Sequence, residues 1–454
     1  MAEAELIHGD CLSALKGYAS GTFSAVVTDP PYGLAFMGKH WDHGVPGAVY
    51  WEEILRVCAP GAPLLAFGGT RTFHRLACAI EDAGWIIKDC LAWNYASGFP
   101  KSHNISKAID KKLGAERKVV GSKRLTGNAC VPTKEKGGTY AVGCGAGVPK
   151  DVPVTVAGSS EEALWEGWGS ALKPAWEPIL LAMKPLDGTY AENALKHGVA
   201  GINIDATRIG NERRFNSSAS ENKIYGQFKG RETEGRETEG RWPANFFLSH
   251  TPACRIVGYK DVKGRELNRY ADGPKPFGGG VGHDFTSEKT PPDTVPVWEC
   301  SEDCPCRVLD EQSGISKSNG HVRHCTKPAT HIYGKFGAIV NVGHSDSGGA
   351  SRFFHCVKAN KKERGIYNTH PTVKPVALMR YLCRLVKMPQ DNLILDPFCG
   401  SGSTLIAALE EGLDCCGVDL ELDHLKIAAR RLRDRGLADP VGKMSAMTEP
   451  LLCF

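Results

Sequence analysis

Long apolar runs are missing from this sequence of 454 residues. A membrane-spanning helix needs about 18 consecutive apolar residues, and no segment approaches that length, so we expect no membrane partner. The first residues, Met1–Glu5, are acidic and precede no long apolar stretch. We therefore also expect no secretory signal.

The sequence also lacks an even number of cysteines and a strong net charge. The 17 cysteines are odd in number and scattered, which together with the missing signal predicts a reducing cytoplasm. The net charge is only +4, so a nucleic-acid partner has to be inferred from local features. With 42% hydrophobic residues, the chain can form a large core and is expected to form two domains.

Both ends of the chain alternate segments typical of strands with segments typical of helices. The predicted strands are 23–28, 64–67, 85–93, 392–395 and 415–418, and the predicted helices are 50–58, 72–83, 403–411 and 424–435. This alternation predicts a mostly parallel sheet covered by helices on both faces. Since neither end makes a complete sheet, we expect the two ends to share one sheet, with the middle of the chain inserted.

The middle of the chain has a different composition. Residues 111–163 are rich in Gly and Lys, residues 211–240 are polar and carry a tandem repeat, and residues 262–295 are rich in Gly, Pro and Asp. Such segments are typical of loops and solvated linkers. We predict a first α/β part at 1–210 with a flexible insert near 111–163, a loop-rich second domain at 211–350, a second α/β part at 351–438 and a tail at 439–454.

A Gly-rich turn follows the predicted strand at 392–395. It runs from Asp396 to Thr404 and contains Gly400 and Gly402, and Asp419 ends the next strand. Glycines let a backbone approach a ligand closely, a helix N-terminus favours anionic groups, and an acid at the next strand end can accept ribose hydroxyls. The pattern fits NAD or S-adenosylmethionine (SAM), and a purely structural turn is the alternative.

The tetrapeptide Asp29-Pro30-Pro31-Tyr32 follows the first buried strand, at the sheet edge where open α/β folds bind ligands. A carboxylate and the Pro30 carbonyl can accept the two N–H bonds of an aromatic amine, and proline keeps such a turn stiff. Tyr32 can stack on a base taken out of the duplex. A Pro-Pro turn capped by Asp is the alternative interpretation.

These two motifs resemble those of the β-class DNA amino-methyltransferases, particularly those of phages and prophages, which place the catalytic motif before the SAM motif. Further segments that resemble this class are Gly98–Ser102, Ser106–Asp110, Leu172–Ile179, Gly240–Asn245, Ser351–Phe354 and His370–Pro375. The resemblance implies a class I SAM-dependent methyltransferase fold, Rossmann-like α/β with a circularly permuted motif order and an inserted target-recognition domain. It also implies a bacterial or phage-infected host cell and a restriction-modification context.

The resemblance also implies roles for individual residues. Asp29, Pro30, Pro31 and Tyr32 would be catalytic, and Asp419 would bind the ribose of SAM. Asp10 corresponds to the acid near the SAM adenine, and Thr372 and Lys374 lie in the segment that leads into the SAM strand. The remaining SAM-pocket residues implied are Asp396, Pro397, Phe398, Gly400 and Gly402.

A zinc site is predicted from cysteine and histidine spacing. His250 and Cys254, and Cys300 and Cys304, form two pairs on either side of a Gly/Pro-rich segment, which suits a tetrahedral structural zinc in a domain with little core. Competing ligands are Cys306, His324 and Cys325, and buried or surface thiols are the alternative. The Pro305-Cys306 pair is not interpreted as a cytosine-C5 nucleophile, because it lies far from any strand-edge motif.

We predict methyl transfer from SAM to adenine N6 in double-stranded DNA after base flipping. Alternatives are transfer to cytosine N4, methylation of RNA or of a protein amide, and a zinc-dependent nucleic-acid-binding protein without catalysis. Asp29 favours adenine, since Ser is commoner there in the cytosine enzymes of this class. Basic residues from Lys107 to Arg124 could neutralise phosphates or simply form a solvated face. A homodimer is left open.

Overall fold

The structure is a computed structural model of the chain. It describes residues 2–34, 42, 44–95, 98, 102–125, 133–134, 140–141, 150–156, 158–216, 236–251, 253–262, 266–270, 285–289, 293–317, 323–324, 330–331, 334–335, 340–341, 347–358, 367–368, 370, 372–390, 392–437 and 440–444.

One large sheet organises the described chain. Its ten strands are β1 Ala4–His8, β2 Ala25–Thr28, β3 Pro63–Phe67, β4 Ile86–Asn94, β5 Trp176–Met183, β6 Phe246–His250, β7 His355–Lys358, β8 Leu393–Asp396, β9 Asp414–Asp419 and β10 Val441–Met444. Their order across the sheet is β7-β6-β4-β5-β3-β2-β8-β9-β1-β10. All neighbouring pairs are parallel except the two that β5 forms with β3 and β4.

The sheet confirms the prediction that both chain ends contribute to one layer. Strand β2 from the first part pairs with β8 from the last part, with Val26 opposite Leu395. The predicted domain at 211–350 is not merely inserted, because it supplies β6 to the same sheet. The segment predicted as a tail supplies the edge strand β10, which pairs with β1.

Helices cover both faces of the sheet. The α-helices of the described chain are α1 Cys11–Leu15, α2 Ala48–Val57, α3 Phe73–Asp82, α4 Ile105–Leu113, α5 Ser160–Leu164, α6 Tyr190–His197, α7 Pro305–Ser313, α8 Val376–Val386, α9 Ser403–Glu410 and α10 Leu422–Arg433. One buried cluster joins α8, α9 and α10 to side chains such as Val27, and a second joins α1, α2 and α3 to side chains such as Val26. Successive residues of β2 therefore point into opposite cores, as a doubly covered strand requires.

Two compact units divide the chain, one formed by residues 1–96 and 176–454 and the other by residues 97–175. The second unit was expected to contain a flexible insert. Its described part has α4, α5 and a hairpin of Lys118–Leu125 with Lys150–Val156. Buried Asp110 and Glu162 both form ion pairs with Arg117, which explains how a segment with few apolar residues is held together.

Hairpins also form in segments whose composition predicted loops and linkers. Ile209–Asn216 pairs with Arg236–Arg241, Arg255–Val262 with Asp293–Glu299, and Glu266–Tyr270 with Phe285–Lys289. Shorter strands are Thr133–Lys134, Tyr140–Ala141, Ser316–Lys317, Arg323–His324, Thr330–His331, Gly334–Lys335, Val340–Asn341 and Ser347–Gly348. Most of the tandem repeat lies outside the described residues.

Candidate active site

The predicted functional acids meet at one edge of the sheet. Strands β2 and β8 are parallel neighbours, and so are β8 and β9, and β9 and β1. The carboxyl ends of parallel strands lie at the same edge. Asp396 and Asp419 end β8 and β9, whereas Asp29 and Asp10 follow β2 and β1 within two residues.

The tetrapeptide after β2 is held by hydrogen bonds to distant residues. Lys374 Nζ donates to Asp29 Oδ2 at 2.6 Å and lies 3.0 Å from the Tyr32 hydroxyl. That hydroxyl lies 2.8 Å from Asp29 Oδ1 and 3.0 Å from Glu177 Oε2. Because a phenol carries one proton, it donates to one of the two carboxylates at a time. Pro30, within the turn, is buried, which fits a stiff backbone at this position.

Glu177 belongs to this site, although the sequence did not assign it a role. It lies at the start of β5, the one antiparallel strand among the ten, so its position coincides with the carboxyl edge of the neighbouring strands. Its Oε2 lies 3.3 Å from Lys374 Nζ, and its Oε1 accepts a hydrogen bond of 3.0 Å from Tyr95. The signal available in the sequence was an acidic residue, Glu177, at the start of an apolar strand.

Charge at this site is negative overall. Asp29 and Glu177 face the single ammonium of Lys374, whose side chain is 9% exposed. Burial by itself lowers the pKa of Lys374, but the two carboxylates outweigh burial and raise the pKa above its usual value. Burial, followed by Asp29, raises the pKa of Tyr32 well above its usual value. Lys374 therefore stays charged and Tyr32 stays a neutral phenol at physiological pH.

Asp396 connects the two predicted motifs. Its Oδ1 accepts a hydrogen bond of 2.6 Å from Thr28 Oγ1 and one of 3.2 Å from the Phe398 N–H. Burial raises the pKa of Asp396 to about 7, against the lowering effect of the Thr28 hydrogen bond. Thr28 directly precedes Asp29, so a side chain next to the tetrapeptide contacts the first residue of the Gly-rich turn.

The Gly-rich turn needs glycine for its own packing. Gly400 and Gly402 have φ of +50° and +76°, a region that favours glycine. A Cβ on Gly402 would lie 2.8 Å from the Cβ of Ala428 on α10. From the same helix, buried Arg431 donates to the Ser401 carbonyl at 2.6 Å and to the Ser403 hydroxyl at 3.1 Å. The sequence gives no sign of a role for this arginine, because a basic residue in α10 is typical of a solvated helix face.

Asp419 and Asp10 both have partners within the protein. Asp419 Oδ2 accepts the Gly400 N–H at 2.8 Å, while its Oδ1 accepts the Glu421 N–H at 2.8 Å and lies 3.1 Å from His424 Nδ1. Since a carboxylate oxygen accepts about two hydrogen bonds, Oδ2 is the less occupied oxygen among these contacts. Asp10 caps α1 by accepting the Ser13 N–H at 3.1 Å.

The other residues implied for the SAM pocket also lie around the turn. The Phe398 ring contacts those of Tyr50 and Trp51, at centroid distances of 6.5 and 6.2 Å. The Thr372 carbonyl accepts a hydrogen bond of 2.5 Å from His370 Nδ1. A Cβ on Gly400 would lie 3.0 Å from His370 Nε2, so this histidine, which was not predicted individually, adjoins the turn.

The four predicted zinc ligands also come together. His250, Cys254, Cys300 and Cys304 place their ligand atoms within 4.8 Å of one another. Cys306 is buried at 2% exposure in α7, which suits the rejection of a nucleophilic role. The competing ligand Cys325 and the side chain of His324 lie outside the described residues.

Of the basic residues considered as phosphate contacts, Arg117 is occupied by Asp110 and Glu162, whereas Lys111, Lys112 and Lys118 are exposed. The ion pairs of Arg117 therefore indicate that it stabilises the unit formed by residues 97–175 and does not contact phosphates. The backbone of Arg124 is described, but its side chain is not.

A family model described as DNA methylase, of the N6/N4 methyltransferase type, matches residues 23–430. The chain belongs to this DNA methylase family. The match includes the tetrapeptide, the Gly-rich turn and the segment between them. With the family shown, the parallel sheet that reverses at β5 confirms the expected class I SAM-dependent methyltransferase fold, with the tetrapeptide strand before the Gly-rich strand.

Individual relatives match shorter stretches of this DNA methylase. Type II methyltransferase M2.LlaDCHI of Lactococcus lactis subsp. cremoris is 39% identical over 72 residues, 16% of this chain and 26% of the relative. DNA adenine methyltransferase YhdJ of Escherichia coli is 36% identical over 66 residues, 14% of this chain and 22% of the relative. The chain therefore matches about a quarter of the length of these curated relatives.

Among solved structures, the crystal structure of the M1.HpyAVI-SAM complex matches with a TM-score of 0.34 and 13% identity. The match covers 94% of this chain and 100% of that one. No helix in the described part of the chain has the length and apolar character needed to cross a bilayer.

Proposed function

We propose that this DNA methylase transfers a methyl group from SAM to adenine N6 in double-stranded DNA. The observation that carries the proposal is the hydrogen bond of 2.6 Å between Thr28 and Asp396. It joins the residue before the predicted amine-binding tetrapeptide to the first residue of the predicted SAM turn. A methyl donor in the turn and an amine at Asp29 would therefore be close enough to react, and alignment is most of what such a transfer needs.

The residues at the Gly-rich turn fit SAM, which would supply the methyl group bonded to its positively charged sulfur. The buried carboxyl of Asp396 suits a cationic ligand, and Asp419 Oδ2 suits a ribose hydroxyl. The positive φ of Gly400 keeps side-chain atoms away from the ligand side of the turn. We assign Asp10, Thr372, Pro397, Phe398 and Gly402 to the surroundings of the same pocket.

The tetrapeptide suits an exocyclic amine as the acceptor. Asp29 and the Pro30 carbonyl would accept the two N–H bonds, which favours a tetrahedral nitrogen with an available lone pair. When the N–C bond forms and the C–S bond breaks, the nitrogen gains a positive charge and the sulfur becomes neutral. The nitrogen then loses one proton to solvent. The net negative charge of Asp29, Glu177 and Lys374 stabilises that developing cation.

Adenine is supported over cytosine by two observations. Position 29 is Asp, whereas the resemblance associates Ser at this position with cytosine enzymes. The relative YhdJ is named a DNA adenine methyltransferase. The family itself includes both adenine-N6 and cytosine-N4 enzymes, so the product has to be measured.

Incubation with methyl-labelled SAM and unmethylated duplex DNA, followed by digestion to nucleosides, tests this proposal. We expect label in N6-methyl-2′-deoxyadenosine. Label in N4-methyl-2′-deoxycytidine would overturn the choice of base. Label transferred to RNA or protein in parallel incubations, but not to DNA, would overturn the substrate. Asp29→Ala should lose this activity. Its matched control, Asp82→Ala at an exposed position of α3, should transfer methyl groups at the wild-type rate.

We propose that residues 211–350 recognise the target sequence in DNA. This range contains β6, which belongs to the large sheet, so the segments before and after β6 are both attached to the sheet. Exposed Tyr259 on the hairpin of this region offers an aromatic face for contacts with DNA. Photo-crosslinking to bromouracil-substituted DNA, with peptide mapping, should label peptides from this range. Crosslinks confined to residues 97–175 would contradict the assignment.

A further inference from the structure

Four metal-ligand side chains converge at the end of β6, on the part of the sheet remote in order from β8 and β9. His250 is the last residue of β6, and Cys254 follows it by four positions. Cys300 follows the strand Asp293–Glu299, and Cys304 is the N-cap of α7. Because Arg255–Val262 pairs with Asp293–Glu299 along the hairpin, the two ends that carry the ligands are brought together.

The distances between these ligand atoms suit a tetrahedral metal ion. His250 Nδ1 lies 3.4 Å from Cys300 Sγ and 3.5 Å from Cys304 Sγ. With ordinary zinc bond lengths to nitrogen and sulfur, a tetrahedron places such atoms about 3.6 Å apart. All four ligand atoms lie within 4.8 Å of one another. We propose that His250, Cys254, Cys300 and Cys304 bind one structural zinc ion.

Burial distinguishes this cluster from incidental surface thiols. His250, Cys254 and Cys304 are 5%, 1% and 0% exposed, and Cys300 is half-buried. Cys254 and Cys304 form a small buried cluster with Leu248 and Cys306, against which the partly buried rings of Phe246, Trp298 and Phe354 pack. Polar ligand atoms converging in such surroundings are stabilised when a cation binds them, whereas an apolar core is served better by aliphatic side chains.

Neighbouring groups orient two of the ligands. The His250 ring stacks on the Trp298 indole at 4.2 Å with an interplanar angle of 22°, which fixes the plane of the imidazole. The Thr251 hydroxyl lies 3.1 Å from Cys254 Sγ and can donate to it. Hydroxyl donors of this kind stabilise a metal-bound thiolate and hold it in place.

The complete ligand set indicates a structural role. Four protein ligands fill a tetrahedron and leave no position for substrate or water. Cys306 and Cys356 form a second group with His250, but that group offers three ligands. The zinc ion would fasten the Arg255–Glu299 hairpin and α7 to the sheet. Among the described residues, the buried cluster at this point consists of Leu248, Cys254, Cys304 and Cys306, two of which are ligands, so apolar packing alone stabilises it little. On binding, the thiols release their protons to solvent.

The test starts with the full chain purified without added zinc. We expect about one zinc per chain by elemental analysis, and after exchange with Co²⁺ we expect the thiolate charge-transfer and intense d–d bands of a tetrahedral cobalt site. Less than about one tenth of a zinc per chain, together with no tetrahedral cobalt spectrum, would overturn the proposal. A disulfide between any two of the three cysteines would overturn it as well.

Variants then test the ligand set. Cys300→Ser should lose most of the bound zinc or bind it at least tenfold more weakly, whereas Cys78→Ser, at an exposed position of α3, should retain it fully. Cys306→Ser should also retain it. Loss of zinc in Cys306→Ser with retention in Cys300→Ser would overturn the proposed set. If Cys300→Ser does not fold, the wild-type zinc content and cobalt spectrum still decide whether the metal site exists.

Discussion

Lys374 Nζ donates a hydrogen bond of 2.6 Å to Asp29 Oδ2, although 345 residues separate the two in sequence. The contact joins the segment before β8 to the tetrapeptide after β2. Glu177 contacts the same ammonium from the start of β5. The candidate active site is therefore built from three distant parts of the chain, and its charge depends on all three.

We expect Lys374→Met to destabilise the fold by about 2–3 kcal/mol, because it leaves two partly buried carboxylates without their cation. This figure is below that of a fully buried pair, since the side chains of Asp29 and Glu177 are 24% and 19% exposed. The double variant Lys374→Met/Glu177→Gln should recover part of that loss. Denaturant unfolding of wild type, both single variants and the double variant measures the coupling; additive effects would contradict a shared charge site.

Glu177→Gln should lower the rate of methyl transfer about tenfold to a hundredfold, since it removes one of two negative charges facing the developing cation. Tyr95→Phe is the matched variant, because it deletes the hydrogen bond to Glu177 Oε1 and leaves the charge. It should change the single-turnover rate less than about threefold. Equal losses of the single-turnover rate in both variants would show that the position of the Glu177 side chain matters and that its charge does not.

SAM binding should strengthen as the pH rises toward 7.5. The pKa of Asp396 is raised to about 7, so below that pH the carboxyl is mostly protonated and attracts a cation weakly. Affinity for SAM should therefore fall by up to about tenfold per pH unit on acidification well below the pKa. Calorimetric titrations at about pH 5.5, 6.5 and 7.5 measure this dependence. Asp396→Asn should remove the part of the pH dependence of SAM affinity that Asp396 causes. An unchanged slope of SAM affinity against pH in that variant would contradict the prediction.

Gly402→Ala should cost about 2–3 kcal/mol of stability, because its φ is +76° and the new Cβ would meet that of Ala428 at 2.8 Å. Gly412→Ala is the control with a similar φ of +71° and nothing within 4 Å of the new Cβ. It should cost only about 1 kcal/mol. Equal unfolding free energies for the two variants would show that contact with α10 does not matter.

The sequence predicted the parallel sheet well, because each of its core strands is a short apolar segment between turn residues. The predicted 64–67 and 415–418, for example, correspond to Pro63–Phe67 and Asp414–Asp419. Asp29 and Asp396, which it singled out, lie at one edge of the sheet, and the four His and Cys residues that it singled out cluster. These predictions needed no knowledge of long-range contacts.

Long-range contacts explain what the sequence did not predict. Glu177 enters the site because β5 runs against its neighbours, and strand direction is set by pairing across the sheet. Arg431 is buried because the Ser401 and Ser403 oxygens satisfy it, although its position in α10 suggests a solvated face. The hairpins between Arg255 and Glu299 have a loop-like composition and form through pairing that composition does not encode.

The most direct test of the account is methyl transfer by Asp29→Ala, measured in a single turnover on duplex DNA alongside SAM affinity. If Asp29 binds the target amine and Asp396 belongs to a separate SAM pocket, transfer should fall by at least about a thousandfold while SAM affinity changes by less than about threefold. The exposed control Asp82→Ala should match wild type in both measurements. Transfer at a near wild-type rate in Asp29→Ala would contradict the central claim.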